Sequence, residues 1–213
     1  MRTDDLIRML ATGVEPVAAG AVNRRFTIGM GVGGIGALVL VLATLGPRPD
    51  LREASLLSMF WMKLAYPAAV AAAFGVIAVR LSRPGSAIGW APMAAALPFL
   101  VVAAGAVAVL AGANPSERLP LLAGKSWALC SVFVAVVSIP AFAAAMWVLS
   151  GLAPTRLGVA GFAAGMLAGA IGAAAYAIHC DEMEWPFLAV WYSLGMLLPG
   201  AAGAVIGPRW LRW

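Results

Sequence analysis

The stretch Ala175–Trp185, AYAIHCDEMEW, gathers most of the chain's reactive atoms. It holds the only histidine, His179, beside Cys180, one of two cysteines, and Asp181, Glu182 and Glu184 follow. The other cysteine, Cys130, stands in GKSWALCSVF. Two thiols can close a structural disulfide if their Cα atoms come within about 7 Å. Thiolates with an imidazole also suit a redox sensor, or a thiophilic metal ion such as zinc or cadmium as the signal. Asp181 and Glu182 would then be accessory acids. A Cys–His nucleophile pair needs a base aimed at the sulfur and a third group that orients it. Adjacent residues at a helix end point apart, and the sequence offers no orienting group. The chain is therefore read as not an enzyme, with no obligatory cofactor. The bland alternative is that both cysteines are small apolar fillers and His179 is a polar cap at the interface. Filler, disulfide and sensor all stay open on the residues alone.

The elements that must position these groups are set by composition. Of 213 residues, 63% are hydrophobic and 11% charged, against about 25% charged in soluble domains. No aqueous core hides such an excess, so the chain reads as a membrane protein with the lipid bilayer as its solvent. The 24 glycines fit that class, since small residues let membrane helices approach closely. The net charge of +5 does not point to nucleic acid. The basic residues sit singly or in pairs at the ends of apolar runs, which is how a membrane protein is oriented.

Six runs are long enough to cross a bilayer, which takes roughly 20 apolar residues. They lie near 26–45, 60–79, 88–111, 126–149, 157–178 and 187–206. Short connections rich in Pro and Gly make neighbours antiparallel. The expected fold is an all-α, up-down bundle of six transmembrane helices over 24–208. A cytoplasmic tail of 1–23 precedes it and a short C-terminus of 209–213 follows. With the N-terminus inside, the inner side carries Arg2, Arg8, Arg24, Arg25, Arg80, Arg83, Arg156, Arg209 and Arg212. The outer side carries Arg48, Arg52, Lys63, Arg118 and Lys125. Nine against five favours both termini in the cytoplasm, with both cysteines near the outer surface. Lys63 is then close to an outer span end and can snorkel. Gly29 and Gly33 form a G-x-x-x-G pattern that suits close helix packing. The overlapping G-x-G-x-x-G lies in an apolar span with no strand before it, so it is not a dinucleotide motif.

The tail carries its own signal. Thr3 is a good N-cap, and Asp4 and Asp5 suit the positive end of a helix. Leu6, Ile7 and Leu10 then share one face, with Met9 at its edge, and Gly13 supplies a stop. Such a helix is too short to stand alone in water. It needs the bilayer, the protein's own inner face or a partner's groove. Anionic lipid would repel its acids, so a basic partner groove fits it better.

Several stretches together carry a family resemblance: TDDLIRML, LGPRPDL, FWMKLAYPAAVA, RLSRPG, CSVFVAVVSIPA, AYAIHCDEMEWPFLAVWYSLGMLLP and GPRWLRW. They resemble the NrsF-type membrane anti-sigma factors of bacteria, over nearly the whole chain. The resemblance implies a multi-pass protein of the bacterial inner membrane. Its cytoplasmic tail would hold an extracytoplasmic-function sigma factor away from RNA polymerase. Thr3, Asp4, Asp5 and Leu6 match the family's N-terminal motif, and Ile7 and Leu10 extend the same apolar face. Cys130 and Cys180, with His179 before it, match a periplasmic-side pair implicated in heavy-metal or oxidative stress. The mechanism expected here is a two-state bundle in which Pro140, as a bend in the fourth span, carries a shift from the cysteines inward. The rival from another class is a small six-span transporter or channel, which would want ionisable residues inside its spans.

Overall fold

The computed structural model describes residues 2–12, 20–83 and 85–212. Gly13 and Glu15 lie outside the described residues. Twelve helical segments, and no strand, occur among the described residues. The tail forms α1 (Thr3–Ala11), with its apolar side chains on one face and Asp4 and Asp5 in its first turn. Arg2 is its N-cap residue and makes no capping bond, so Thr3 is the first helical residue rather than the cap. No residue of α1 is buried.

Six helical runs are long and apolar enough to cross a membrane, as the composition demands. They are α2 (Ala21–Thr44), α4 (Ser58–Leu81), α5 (Ala91–Gly112), the run Pro115–Ser150, α9 (Leu157–Tyr176) and the run Trp185–Trp210. A short α3 (Leu51–Ala54) lies in the first connection. The fourth run is broken into α6 (Pro115–Ala123), α7 (Trp127–Val137) and α8 (Ile139–Ser150). Much of the expected connection GANPSERLPLLAGK is therefore helix. Asn114 and Glu117 build a reciprocal capping box and Pro115 begins the first turn, which together nucleate α6. The sixth run opens with α10 (Trp185–Phe187), passes through a π-helical turn, Leu188–Tyr192, and continues as α11 (Ser193–Trp210).

The most buried run is α9, which packs on α2, α4, α7, α8 and α11. Its glycines let that happen. A Cβ at Gly165 would stand 2.0 Å from the Pro199 carbonyl oxygen, and one at Gly161 would stand 2.0 Å from the Gly203 oxygen. Side chains there would force α9 and α11 apart. The G-x-x-x-G of α2 works in the same way against α8. Gly29 faces Val148, Gly33 faces Ala141 and Ala144, and Gly36 faces Pro140. The break between α7 and α8 falls at Ser138, with Pro140 in the first turn of α8, because proline cannot donate into the preceding turn.

The start of α2 meets Arg83 and Trp147, and the end of α11 meets Leu157 at the start of α9, while the end of α2 meets the Cys180 loop through Gly46 and His179. At the terminal end Arg25 donates to the Trp147 carbonyl at 3.2 Å and stacks over the Trp147 ring at 4.8 Å.

Candidate functional site

At the cysteine end, side chains from α4, α7, α9, the first connection and the π-helical turn converge on one buried point. Cys130 sits one turn into α7 and is completely buried. Cys180 follows the frayed end of α9, where its N–H donates to the Tyr176 carbonyl at 3.0 Å, and it is also buried. The two thiols are free and lie within hydrogen-bonding reach of each other.

A cation organises the approach. Lys63, from the second turn of α4, is fully buried rather than snorkelling. Its Nζ donates to the Cys180 carbonyl at 2.7 Å and to the Glu182 carbonyl at 2.6 Å. It also lies 5.3 Å from the centroid of the Tyr192 ring. Unwinding after α9 leaves these carbonyls without helical partners, and the ammonium meets them. A buried cation without such partners would be strongly disfavoured. Arg48 adds a second donor, reaching the Cys180 carbonyl at 3.4 Å while its own N–H bonds the Ile178 carbonyl at 3.1 Å. Asp50 holds the Arg48 guanidinium in a two-pronged pair, both contacts at 2.7 Å. That bond raises the pKa of Arg48 and lowers that of Asp50.

Cys180 is the more acidic thiol, held down to about 6. The hydrogen bond from Cys130 contributes most and burial opposes it; the Lys63 charge, the Tyr192 hydroxyl and the Glu182 backbone add to the lowering. The buried Tyr192 hydroxyl has no fully formed hydrogen bond among the described residues, and it lies within reach of this sulfur. A thiolate at neutral pH is both the nucleophilic and the metal-binding form of cysteine. Oxidation of the pair would form one S–S bond, pass two electrons to the oxidant and release the Cys130 proton. A soft divalent cation would instead bind both sulfurs and displace that same proton.

The neighbouring candidates have other occupations. The His179 Nδ1 is 2.9 Å from the Gly46 carbonyl; a carbonyl only accepts, so that nitrogen carries the proton. The ring thereby pins the end of α9 to the first connection. The Glu182 carboxylate accepts the Lys125 backbone N–H. It lies beneath Gly124, where a Cβ would stand 2.7 Å from it. Glu182 therefore ties the Cys180 loop to the start of the helix that carries Cys130. Asp181 is exposed. Among the described residues no three of His, Cys, Asp or Glu converge in a way that could hold a metal ion. Lys63, Arg48 and Tyr192 were not among the expected site residues. The one available signal was a lysine five residues inside an otherwise apolar helix.

The tail helix α1 leaves Leu6, Ile7 and Leu10 exposed by 38%, 58% and 68%. Thr3, Asp4 and Asp5 are exposed beside them. The start of α2 and the thiols are separated by the full length of α2, whose 24 residues span about 36 Å.

A model of the family described as negative regulator of sigma F matches residues 10–213. The chain is 45% identical over 213 residues to a probable anti-sigma-F factor NrsF of Azospira oryzae, covering 100% of both chains. It is 42% identical over 219 residues to the anti-sigma-F factor NrsF of Caulobacter vibrioides, again covering 100% of both. No solved structure matches the chain.

Proposed function

Because the chain belongs to the NrsF family of anti-sigma factors, which regulate rather than catalyse, we propose that it is a membrane relay from two thiols to a sigma factor. The sigma factor is of the extracytoplasmic-function class and is held through α1 and the inner loops. The N-terminus is cytoplasmic, the membrane is the bacterial inner membrane, and the cysteine end faces the periplasm. Support for the orientation is the positive-inside count. Support for the grip is the apolar face of α1, exposed among the described residues and flanked by Asp4 and Asp5. A short helix of that kind suits a groove with apolar and basic walls.

The observation that carries the sensing half is the buried contact between Cys130 and Cys180. Heavy metal or oxidant joins the two sulfurs and pulls α7 against the end of α9. The break at Ser138–Pro140 lets α7 move while α8 stays on α2, and α2 leads to the tail. Moving the sigma factor from 99% bound to 99% free takes about 5.5 kcal/mol of preference for one state. A two-thiolate metal site can supply that. The regulatory family argues against the transporter or channel alternative.

The grip is tested by affinity capture from detergent-solubilised membranes, with co-purifying proteins identified by mass spectrometry. Wild type should bring down a sigma factor and Leu6→Asp/Leu10→Asp should lose it. Recovery of the same sigma factor by both would remove α1 from the interface.

A further inference from the structure

One helix stands apart from the rest. Along its length α5 packs on α4, and at its far end on the Trp185–Phe187 turn, where the Trp185 indole covers Gly105. It does not run closely along α9 or α11. Its first half, which carries Pro92 and Pro98, is therefore held from one side only. The gap is a groove of about 400 Å³ between α4, α5 and α9, nearest the terminal end. Phe74, Ile77, Pro92, Phe99, Phe162 and Met166 are among its lining, which is wholly apolar.

Directly beyond the groove, and sharing Ile88 with it, is a second cavity of about 410 Å³ with a different character. Arg83, Ser86, Thr155 and Arg156 line it, together with Gly85 and Ala87. The two cavities follow one seam. Val159 of the apolar groove is three residues after Arg156, and Ile77 is one turn before Leu81 of the polar cavity. Among the described residues no carboxylate lines either cavity. Among the described residues the only ion pair is Arg48–Asp50, at the cysteine end. Arg83 donates to Asn23 at 3.2 Å, a neutral partner that leaves its charge uncompensated. The N-terminus of α9 opens at Arg156 without a side-chain cap, so the positive end of its dipole adds to the same field.

An apolar slot that ends in two arginines and a helix N-terminus matches an amphiphile with a hydrocarbon chain and an anionic head. The slot lies between membrane-spanning helices, where a soluble protein cannot reach. A zwitterionic head would place its ammonium beside two guanidinium groups. We propose that this seam binds one anionic phospholipid, with an acyl chain between α5 and α9 and the phosphate between Arg83 and Arg156. Bound there, the lipid bridges the Ser82–Trp90 connection to the start of α9. It braces the half of α5 that protein contacts leave unsupported. Basic pockets between membrane helices take anionic headgroups elsewhere by the same chemistry.

The test uses the full chain purified in detergent, with phosphatidylglycerol or phosphatidylcholine of identical acyl chains titrated in and bound lipid counted by native mass spectrometry. Wild type should retain phosphatidylglycerol on the order of tenfold more tightly, as two headgroup arginines would give. Arg83→Gln/Arg156→Gln should bring it down to the phosphatidylcholine level. Ala163→Phe, which fills the groove, should weaken phosphatidylglycerol while leaving both arginines in place. Alkylation of Cys180 at the wild-type rate certifies that each variant is folded. Equal retention of the two lipids by wild type overturns the proposal, as does a preference that survives the double substitution. Saturation by glycerol phosphate alone at the same concentration would make the cavity a soluble-anion site and overturn the lipid assignment.

Discussion

The chemistry of the thiol pair depends on a lysine held against the Cys180 loop. Lys63 is fully buried and spends two of its three donors on the carbonyls flanking Asp181. It shapes the Cys180 loop and puts a positive charge beside the sulfur. A thiolate reacts and a thiol does not. With the Cys180 pKa lowered to about 6, alkylation should keep its full rate between pH 7 and 8 and fall as the pH drops through about 6. An ordinary thiol loses rate already below about 8.5. Peptide mapping of Cys180 after a timed pulse of iodoacetamide measures this. Lys63→Met should move the half-point upward, and an unchanged half-point would deny the lysine its electrostatic part. For signalling, Cys130→Ser and Cys180→Ser should each abolish the response to cadmium or dichromate while leaving sigma-factor capture intact. A normal response in either variant would remove the pair from the sensor.

At the scale of elements, glycine placement decides which helices can move and which cannot. In α2 the glycines look alike in sequence but differ in space. A Cβ at Gly33 would stand 2.7 Å from the Ala141 Cα, and one at Gly31 would meet nothing within 4 Å. Gly33→Ala should therefore cost about 1–3 kcal/mol through overpacking, read as a lower melting temperature in detergent. Gly31→Ala should be neutral or slightly stabilising, because alanine is the better helix former. Much of this level was legible in the residues. Six apolar runs could be counted, and the G-x-x-x-G of α2 foretold a tight contact. The break at Pro140 was less legible, because Pro67, Pro98 and Pro199 lack the same donor and sit inside unbroken helices. The second half of the site was not legible. A lysine near a span end looks the same whether it snorkels or is buried. Only the unwinding after Tyr176 creates the carbonyls that hold it. The π-helical turn that aims Tyr192 inward leaves no mark in the pattern of apolar residues. Thr3 looked like a cap, but the helix begins one residue earlier than that role allows.

On the scale of the whole molecule, charge and chemistry are sorted to opposite ends. Asp50, Glu53, Glu117, Asp181, Glu182 and Glu184 accompany the thiols, while Arg24, Arg25, Arg80, Arg83, Arg156 and Arg209 crowd the terminal end. That asymmetry predicts cytoplasmic termini. A C-terminal alkaline phosphatase fusion should be inactive and a C-terminal green fluorescent protein fusion bright; the reverse would invert the relay. In the proposed orientation the sensor and the grip face opposite sides of the membrane, so coupling between them would pass through helix packing. The central claim is that joining the two sulfurs loosens the sigma factor. It is tested by purifying the complex and measuring how much sigma factor stays bound before and after cadmium or a thiol-specific oxidant. Wild type should release the sigma factor and Cys130→Ser should retain it under the same treatment. Release from both, or from neither, would contradict the claim.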